Sequence, residues 1–250
     1  MWEKYRKNVA MTGAQDVAAA LAEVSSPVDA AFLQRFFKTG DRQYGAGDVF
    51  IGVRVPATRA VARRFADLPL DDIDALLDSP IHEHRLAALV ILVTRFERST
   101  KDPELRTQIA DRYIGAVRRG RVNNWDLVDS SAPAILGGYL FERPRDLLLE
   151  FAHSTDLWQR RVAMLATGGF ITRGDASTTL ALAEVLLTDR EDLIHKAEGW
   201  MLREVGKRID RSLLTDFLEA HAARMPRTAL SYATEHLTAA ERRHFRSLRA

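Results

Sequence analysis

The 250-residue chain contains no cysteine. Disulfides and thiolate-ligated zinc sites are therefore excluded, and the composition is compatible with the cytoplasm. Long apolar runs are also missing. The longest strictly apolar stretch is Leu86–Val93, far short of the ~20 residues that a membrane-spanning helix needs. No apolar segment of the signal-peptide kind follows Trp2-Glu3-Lys4-Tyr5-Arg6-Lys7. A cytoplasmic protein with no membrane partner is the expectation. No P-loop Lys-Ser/Thr pair and no dinucleotide fingerprint occur, so the glycine-rich stretch Gly40–Gly52 is not a nucleotide-binding loop. His82, His84, His153, His195, His221, His236 and His244 include no His-Glu-x-x-His, and the spacing of two splits His82 and His84 across a helix. Neither a metal site nor a cofactor is expected. Excess charge of one sign is nearly absent too, with a net charge of +2.

What is present describes a soluble globular protein. Apolar residues make up 46 % and charged residues 28 %, which argues against disorder. The length suits one large domain, and a single domain over 1–250 is expected, with 1–12 as a mobile or terminal extension. The charges are segregated along the chain. Asp67, Asp71, Asp72, Asp74 and Asp78 form an acidic segment, and Arg118, Arg119 and Arg121 form a basic one. Arg160, Arg161, Arg203, Lys207 and Arg208 follow later. Such segregation allows one basic face on a nearly neutral protein; the plainer reading is a set of solvated helix faces.

Helical periodicity dominates, and few alternating runs compete with it. Amphipathic helices are expected over Ala14–Glu23 and Asp29–Lys38, with Pro27 between them. Lys38–Arg54, carrying Gly40, Gly45, Gly47 and Gly52, reads as a long loop. Pro56 suits the first turn of a helix reaching Phe65, and Ser79-Pro80 reads as a cap followed by a helix start. Further helices are expected at 71–77, 80–96, 103–118, 133–141, 144–152, 157–170, 177–187, 190–207, 212–222, 226–236 and 239–248. A weak repeat links them. Ile81-His-Glu-His-Arg-Leu-Ala-Ala-Leu resembles Leu157-Trp-Gln-Arg-Arg-Val-Ala-Met-Leu, aligning Arg85 with Arg161 and placing Lys196 similarly. The spacing is roughly 35–40 residues, near that of HEAT-type helix pairs. Such pairs stack into a curved solenoid because one pair cannot bury its apolar face alone.

Aromatic and polar residues recur within these segments. Trp125 and Asp129 stand four apart in Asn123-Asn-Trp-Asp-Leu-Val-Asp129, on one face if the segment is helical. Pro133 clashes with the carbonyl of residue 129 in a continuous helix, so a break just after Asp129 is expected. Trp158, Arg160 and Arg161 follow, then Trp200 and Arg203. One carboxylate, indoles and guanidiniums together suit a cationic aromatic group on a phosphate backbone.

These motifs resemble the DNA alkylation repair family of AlkD-like glycosylases over most of the chain. The likeness rests on Phe36-Phe37-Lys38-Thr39-Gly40, Tyr44-Gly45-Ala46-Gly47-Asp48, Gly52-Val53-Arg54-Val55-Pro56-Ala57-Thr58-Arg59, Asn124-Trp125-Asp126-Leu127-Val128-Asp129, Leu157-Trp158-Gln159-Arg160-Arg161 and Lys196–Glu204. Each motif is weak alone; their order and spacing are specific. The resemblance implies an all-α, right-handed superhelical solenoid of HEAT-like repeats with a concave basic surface. It implies a monomeric glycosylase of base excision repair that removes cationic N3- and N7-alkylpurines from double-stranded DNA. The catalytic carboxylate falls on Asp129, the lesion-facing tryptophans on Trp125 and Trp200, and the key arginine on Arg161.

The residues fit that chemistry. A cationic base leaves without a general acid, while the developing oxocarbenium sugar needs a nearby negative charge and its water needs alignment, both of which Asp129 would supply. Indole faces favour cations by roughly 0.5–2 kcal/mol. Arg161 would grip a phosphate near the lesion, with Arg203 and Lys207 in support and Arg160, Arg54 and Arg59 as further DNA contacts. The plain alternatives are a cap or a salt bridge from Asp129 to Arg121 or Arg161, and core positions for the tryptophans; Trp158 is read as a packing residue. At the level of function, the alternatives are a non-catalytic helical module binding damaged or branched DNA, and a protein-binding scaffold.

Overall fold

The structure, a computed structural model, describes residues 13–248. The extension expected over 1–12, Trp2 included, lies outside them. Among the described residues the fold is all-α, with one isolated bridge between Val49 and Ile81 and no strand. The chain divides into two compact units, 1–127 and 128–250.

The first unit holds α1 (Ala14–Ala22), α2 (Pro27–Phe36), α3 (Val55–Arg64), α4 (Leu70–Leu77), α5 (His82–Arg98) and α6 (Pro103–Arg118). A short α7 (Trp125–Asp129) runs across the division. Helix α5 is the spine of this unit and packs against α3, α4, α1 and α6. Its Leu86, Leu89, Ile91, Leu92 and Phe96 are all buried, and each such side chain contributes about 1.5–3 kcal/mol. Two starts differ from the sequence reading. Pro27 opens α2 as its first residue, with Ser26 accepting from Asp29 N–H, a cap-and-proline start. Ser79-Pro80 instead precedes the helix by a turn. The bridge to Val49 holds Ile81 extended, and Ser79 Oγ accepts from its N–H, so α5 begins at His82.

The long loop before α3 is held from inside. The buried Glu83 carboxylate accepts the backbone N–H groups of Ile51, Gly52 and Val53. Gly52 sits at φ +84° with Ser26 O only 2.0 Å from where a Cβ would stand, so no other residue fits there. The acidic segment meets arginines of α6 and of the turn after it. Arg112 pairs with Asp71 and Asp74, and Arg119 and Arg121 with Asp78. The sequence pattern is thus realised as ion pairing across α4 and α6 rather than as a basic face at this place.

The second unit contains α8 (Ala132–Leu140), α9 (Asp146–Ala152), α10 (Leu157–Ala166), α11 (Gly168–Ile171), α12 (Ser177–Leu186), α13 (Asp192–Arg208), α14 (Arg211–His221), α15 (Arg227–Ala233) and α16 (Ala239–Ser247). Helix α13 is its spine and touches α10, α11, α12, α14 and α15. The helix expected over 157–170 is broken at Thr167, whose hydroxyl donates to Met164 O before the Gly168-Gly169 pair. Gly137 and Gly169 let α8 and α11 meet backbone to backbone, with Pro133 O 2.4 Å from a Cβ at 169. Gly199 does the same for α13 and α15, where a Cβ would stand 2.3 Å from Ala229 O. Gly199 thus serves close helix packing.

Candidate active site

Asp129 is the last residue of α7, and α8 starts three residues later with Pro133 in its first turn. The chain breaks where the proline placement demands. The Asp129 side chain keeps 19 % exposure. Both of its oxygens accept from one guanidinium: Arg161 Nε donates to Oδ1 at 2.9 Å and an Arg161 terminal nitrogen donates to Oδ2 at 2.8 Å. The other terminal nitrogen donates to Leu193 O at 2.5 Å. Arg161 itself is only 4 % exposed. Its head is turned inward onto the carboxylate, not outward to solvent. The salt-bridge alternative for Asp129 is therefore formed, and it orients the acid.

A cavity of about 410 Å3 opens beside this pair. Asp129 lines it and Arg161 does not, so the negative end of the pair faces the space. Trp200 and Met201 from α13, Pro133 from α8, and Leu165, Gly168 and Ile171 from α10–α11 supply its apolar wall. Arg203, Glu204 and Arg208 form the polar side. Glu204 bridges the two arginines at 3.1 and 2.5 Å, and Arg203 also pairs with Glu235. The paired arginines hold the Glu204 carboxyl below its usual range against the opposing effect of burial, which is the largest influence on it. The tight glycine contacts described above bring Pro133 and Gly168 to this wall.

The other expected residues fall into distinct settings. Trp125, at the opposite end of α7 from Asp129, belongs to the first unit and lies in an aromatic cluster. Phe37 stacks on it at 5.2 Å and 20°, and the exposed Phe36 meets it edge-on at 6.1 Å. Arg160 is tied down by Asp189 at 2.6 Å and by the carbonyls of Ser154 and Thr155. Trp158 is 9 % exposed and packs as expected. Arg54 is exposed and bidentate to Asp29. Arg59 and Lys207 are exposed.

Sequence reasoning missed the polar hub beneath Trp125. His82, 1 % exposed, contacts Asp48 through Nδ1 at 2.9 Å and Asp126 through Nε2 at 2.8 Å. Arg85 donates to Asp48 at 2.5 Å, and Asn124 donates to it at 3.1 Å. Burial works against the imidazolium most strongly, yet Asp126 and Asp48 together raise the His82 pKa to about 9. The sequence signal was the acidic Asp126 and the amide Asn124 on either side of Trp125, which periodicity does not rank.

The family profile described as DNA alkylation repair enzyme matches residues 17–237. The chain belongs to that family. Membership implies DNA as the partner. A solved structure described as a predicted DNA alkylation repair enzyme from Enterococcus faecalis shares the fold, with a TM-score of 0.64, 17 % identity, and coverage of 86 % of this chain and 97 % of that one. No curated protein matches in sequence. No helix among the described residues of this family member is long and apolar enough to cross a membrane.

Proposed function

We propose that this protein is a DNA glycosylase that hydrolyses the N-glycosidic bond of cationic N3- and N7-alkylpurines. The observation that carries the proposal is the Asp129 carboxylate, held bidentately by a buried arginine and presented to a cavity walled by an indole. A structural ion pair alone needs neither the cavity nor Trp200.

In this reading the bond from C1′ to the purine nitrogen breaks with its electrons going to the base, which leaves neutral. No acid is needed. Positive charge develops on the sugar, and water then attacks C1′ and loses its proton to solvent or to Asp129. Two charge-assisted hydrogen bonds from Arg161 hold both carboxylate oxygens in place. Asp129 therefore acts chiefly by stabilising charge, a contribution of about 3 kcal/mol for a preorganised group. Trp200, and Trp125 from the α7 start, offer electron-rich faces to the cationic base or sugar. Arg161 orients the acid, and the exposed Lys207, Arg208 and Arg59 are the better candidates for phosphate contacts.

The test is single-turnover excision from duplexes carrying N7-methylguanine or uracil, scoring free base and abasic sites. The parent releases N7-methylguanine and leaves uracil. Asp129→Asn, confirmed as folded by circular dichroism, loses about 10²–10³-fold in rate while DNA affinity stays the same or rises. Full excision by the folded variant would remove Asp129 from the chemistry.

A further inference from the structure

The hub under Trp125 has no part in the chemistry just described. His82 is buried with both ring nitrogens on carboxylates. A neutral imidazole has one N–H and cannot donate to both acids; the imidazolium can. Arg85 balances the second negative charge by donating to the other Asp48 oxygen, which Asn123 also reaches at 3.3 Å. The charges acting on the imidazolium come from Asp48 in the loop and Asp126 in α7. From the end of α2 and from the loop it is faced by rings. Phe50 stacks on it at 4.3 Å and Phe37 lies 5.2 Å away.

Two routes lead from this imidazolium to Trp125. The first is polar. Asn124 donates its side-chain amide to the Asp48 oxygen that His82 contacts, and its carbonyl oxygen accepts the Trp125 N–H at 2.9 Å. Asp126, on the far side of Trp125, is held by His82 Nε2, so both sequence neighbours of the tryptophan are anchored to one charged centre. The second route is aromatic. The Phe37 ring stacks on Phe50 at 4.9 Å and on the Trp125 indole at 5.2 Å. The indole rests on a column whose base is the histidine.

We propose that His82 is a positioning residue for Trp125: clamped between Asp48 and Asp126, it fixes the Asn124-Trp125-Asp126 turn and the Phe37 ring, and so sets where the indole stands for the alkylated nucleotide. The contribution of that placement to excision rests on the glycosylase reading; the placement itself does not. Removing the His82 proton leaves one carboxylate without a donor and loosens the indole. Weakening either carboxylate makes that proton easier to remove.

The experiment labels the whole protein with 5-fluorotryptophan and follows the Trp125 fluorine resonance, assigned by its loss in Trp125→Phe, between pH 6 and 10.5. In the parent the resonance moves with a midpoint near 9, in step with His82. In Asp126→Asn one partner charge is gone and the midpoint falls by about one pH unit or more. In His82→Gln the transition disappears, and single-turnover excision of N7-methylguanine at saturating protein slows about tenfold while DNA affinity changes less than about threefold. Should His82→Gln fail to fold, the parent and Asp126→Asn titrations decide the matter. A Trp125 resonance that stays still in the parent while His82 titrates overturns the assignment, as does an identical transition in folded His82→Gln. An inactive parent in which Trp125 still titrates with His82 would defeat the glycosylase reading and leave the positioning role intact.

Discussion

Replacing Glu198 by Gln is expected to stabilise the protein at neutral pH and to do little in acid. Glu198 lies in α13, is 0 % exposed, and neither of its carboxyl oxygens has a hydrogen-bond partner. Burial, with a smaller push from Asp189, raises its pKa from 4.5 to about 8. The unfolded chain therefore releases this proton near pH 4.5, whereas the folded protein keeps it until about pH 8. Stability is lost as pH rises through that window, because the unfolded state alone gains the ionised, hydrated form. At about 1.4 kcal/mol per tenfold, the penalty grows to about 1 kcal/mol by pH 5 and about 3 kcal/mol by pH 7. Gln has nearly the shape of the neutral acid and leaves its polar atoms equally unpaired, so it removes only the titration. Urea unfolding of parent and Glu198→Gln at pH 5 and pH 7 measures the difference. A gain of the same size at both values, or a loss at pH 7, would refute the reasoning.

Arg161→Lys keeps the charge behind Asp129 but cannot hold both oxygens; excision should fall by about tenfold or more while DNA affinity measured by anisotropy changes little. An affinity loss as large as the rate loss would return Arg161 to phosphate binding. Lys207→Ala should lower the slope of log affinity against log salt by about one, and an unchanged slope would remove Lys207 from the DNA contact. Gly199→Ala forces a methyl to within 2.3 Å of Ala229 O and should cost about 1–3 kcal/mol by overpacking, read as a drop in Tm. An unchanged Tm would show that α13 and α15 separate freely.

Most helices were legible from periodicity, because α5, α10 and α13 carry apolar stripes and begin or end near proline, aspartate and glycine signals. Misplaced boundaries arose where a nonlocal contact overrode a local one. Ile81 is extended because Val49 pairs with it across 32 residues of chain, and no property of Ser79-Pro80 announces that bridge. Thr167 ends α10 through a side-chain bond that competes with the helix. The candidate acid, its arginine and Trp200 were readable from motif order. The Glu83 and His82 contacts were not, since both join α5 to a loop more than thirty residues earlier. Charge runs misled for a related reason: a linear pattern does not tell whether opposite charges meet, and here Asp78 meets Arg119 and Arg121.

The weak repeat aligning Arg85 with Arg161 acquires a physical meaning at this point. In each unit the arginine sits near the start of a buried helix and grips an aspartate more than thirty residues earlier: Arg85 holds Asp48, and Arg161 holds Asp129. The two pairs differ in how deeply the acid is buried. Asp48 is 3 % exposed and also receives His82, Asn123 and Asn124. Asp129 retains 19 % exposure and borders an open cavity. An aspartate with three further partners has its lone pairs committed to holding a turn. One that stays partly exposed at the edge of a cavity can face a substrate. The same device thus supports two outcomes, a structural hub that anchors Trp125 and an acid presented for chemistry, and the distinction lies in burial and access to a cavity rather than in the local sequence.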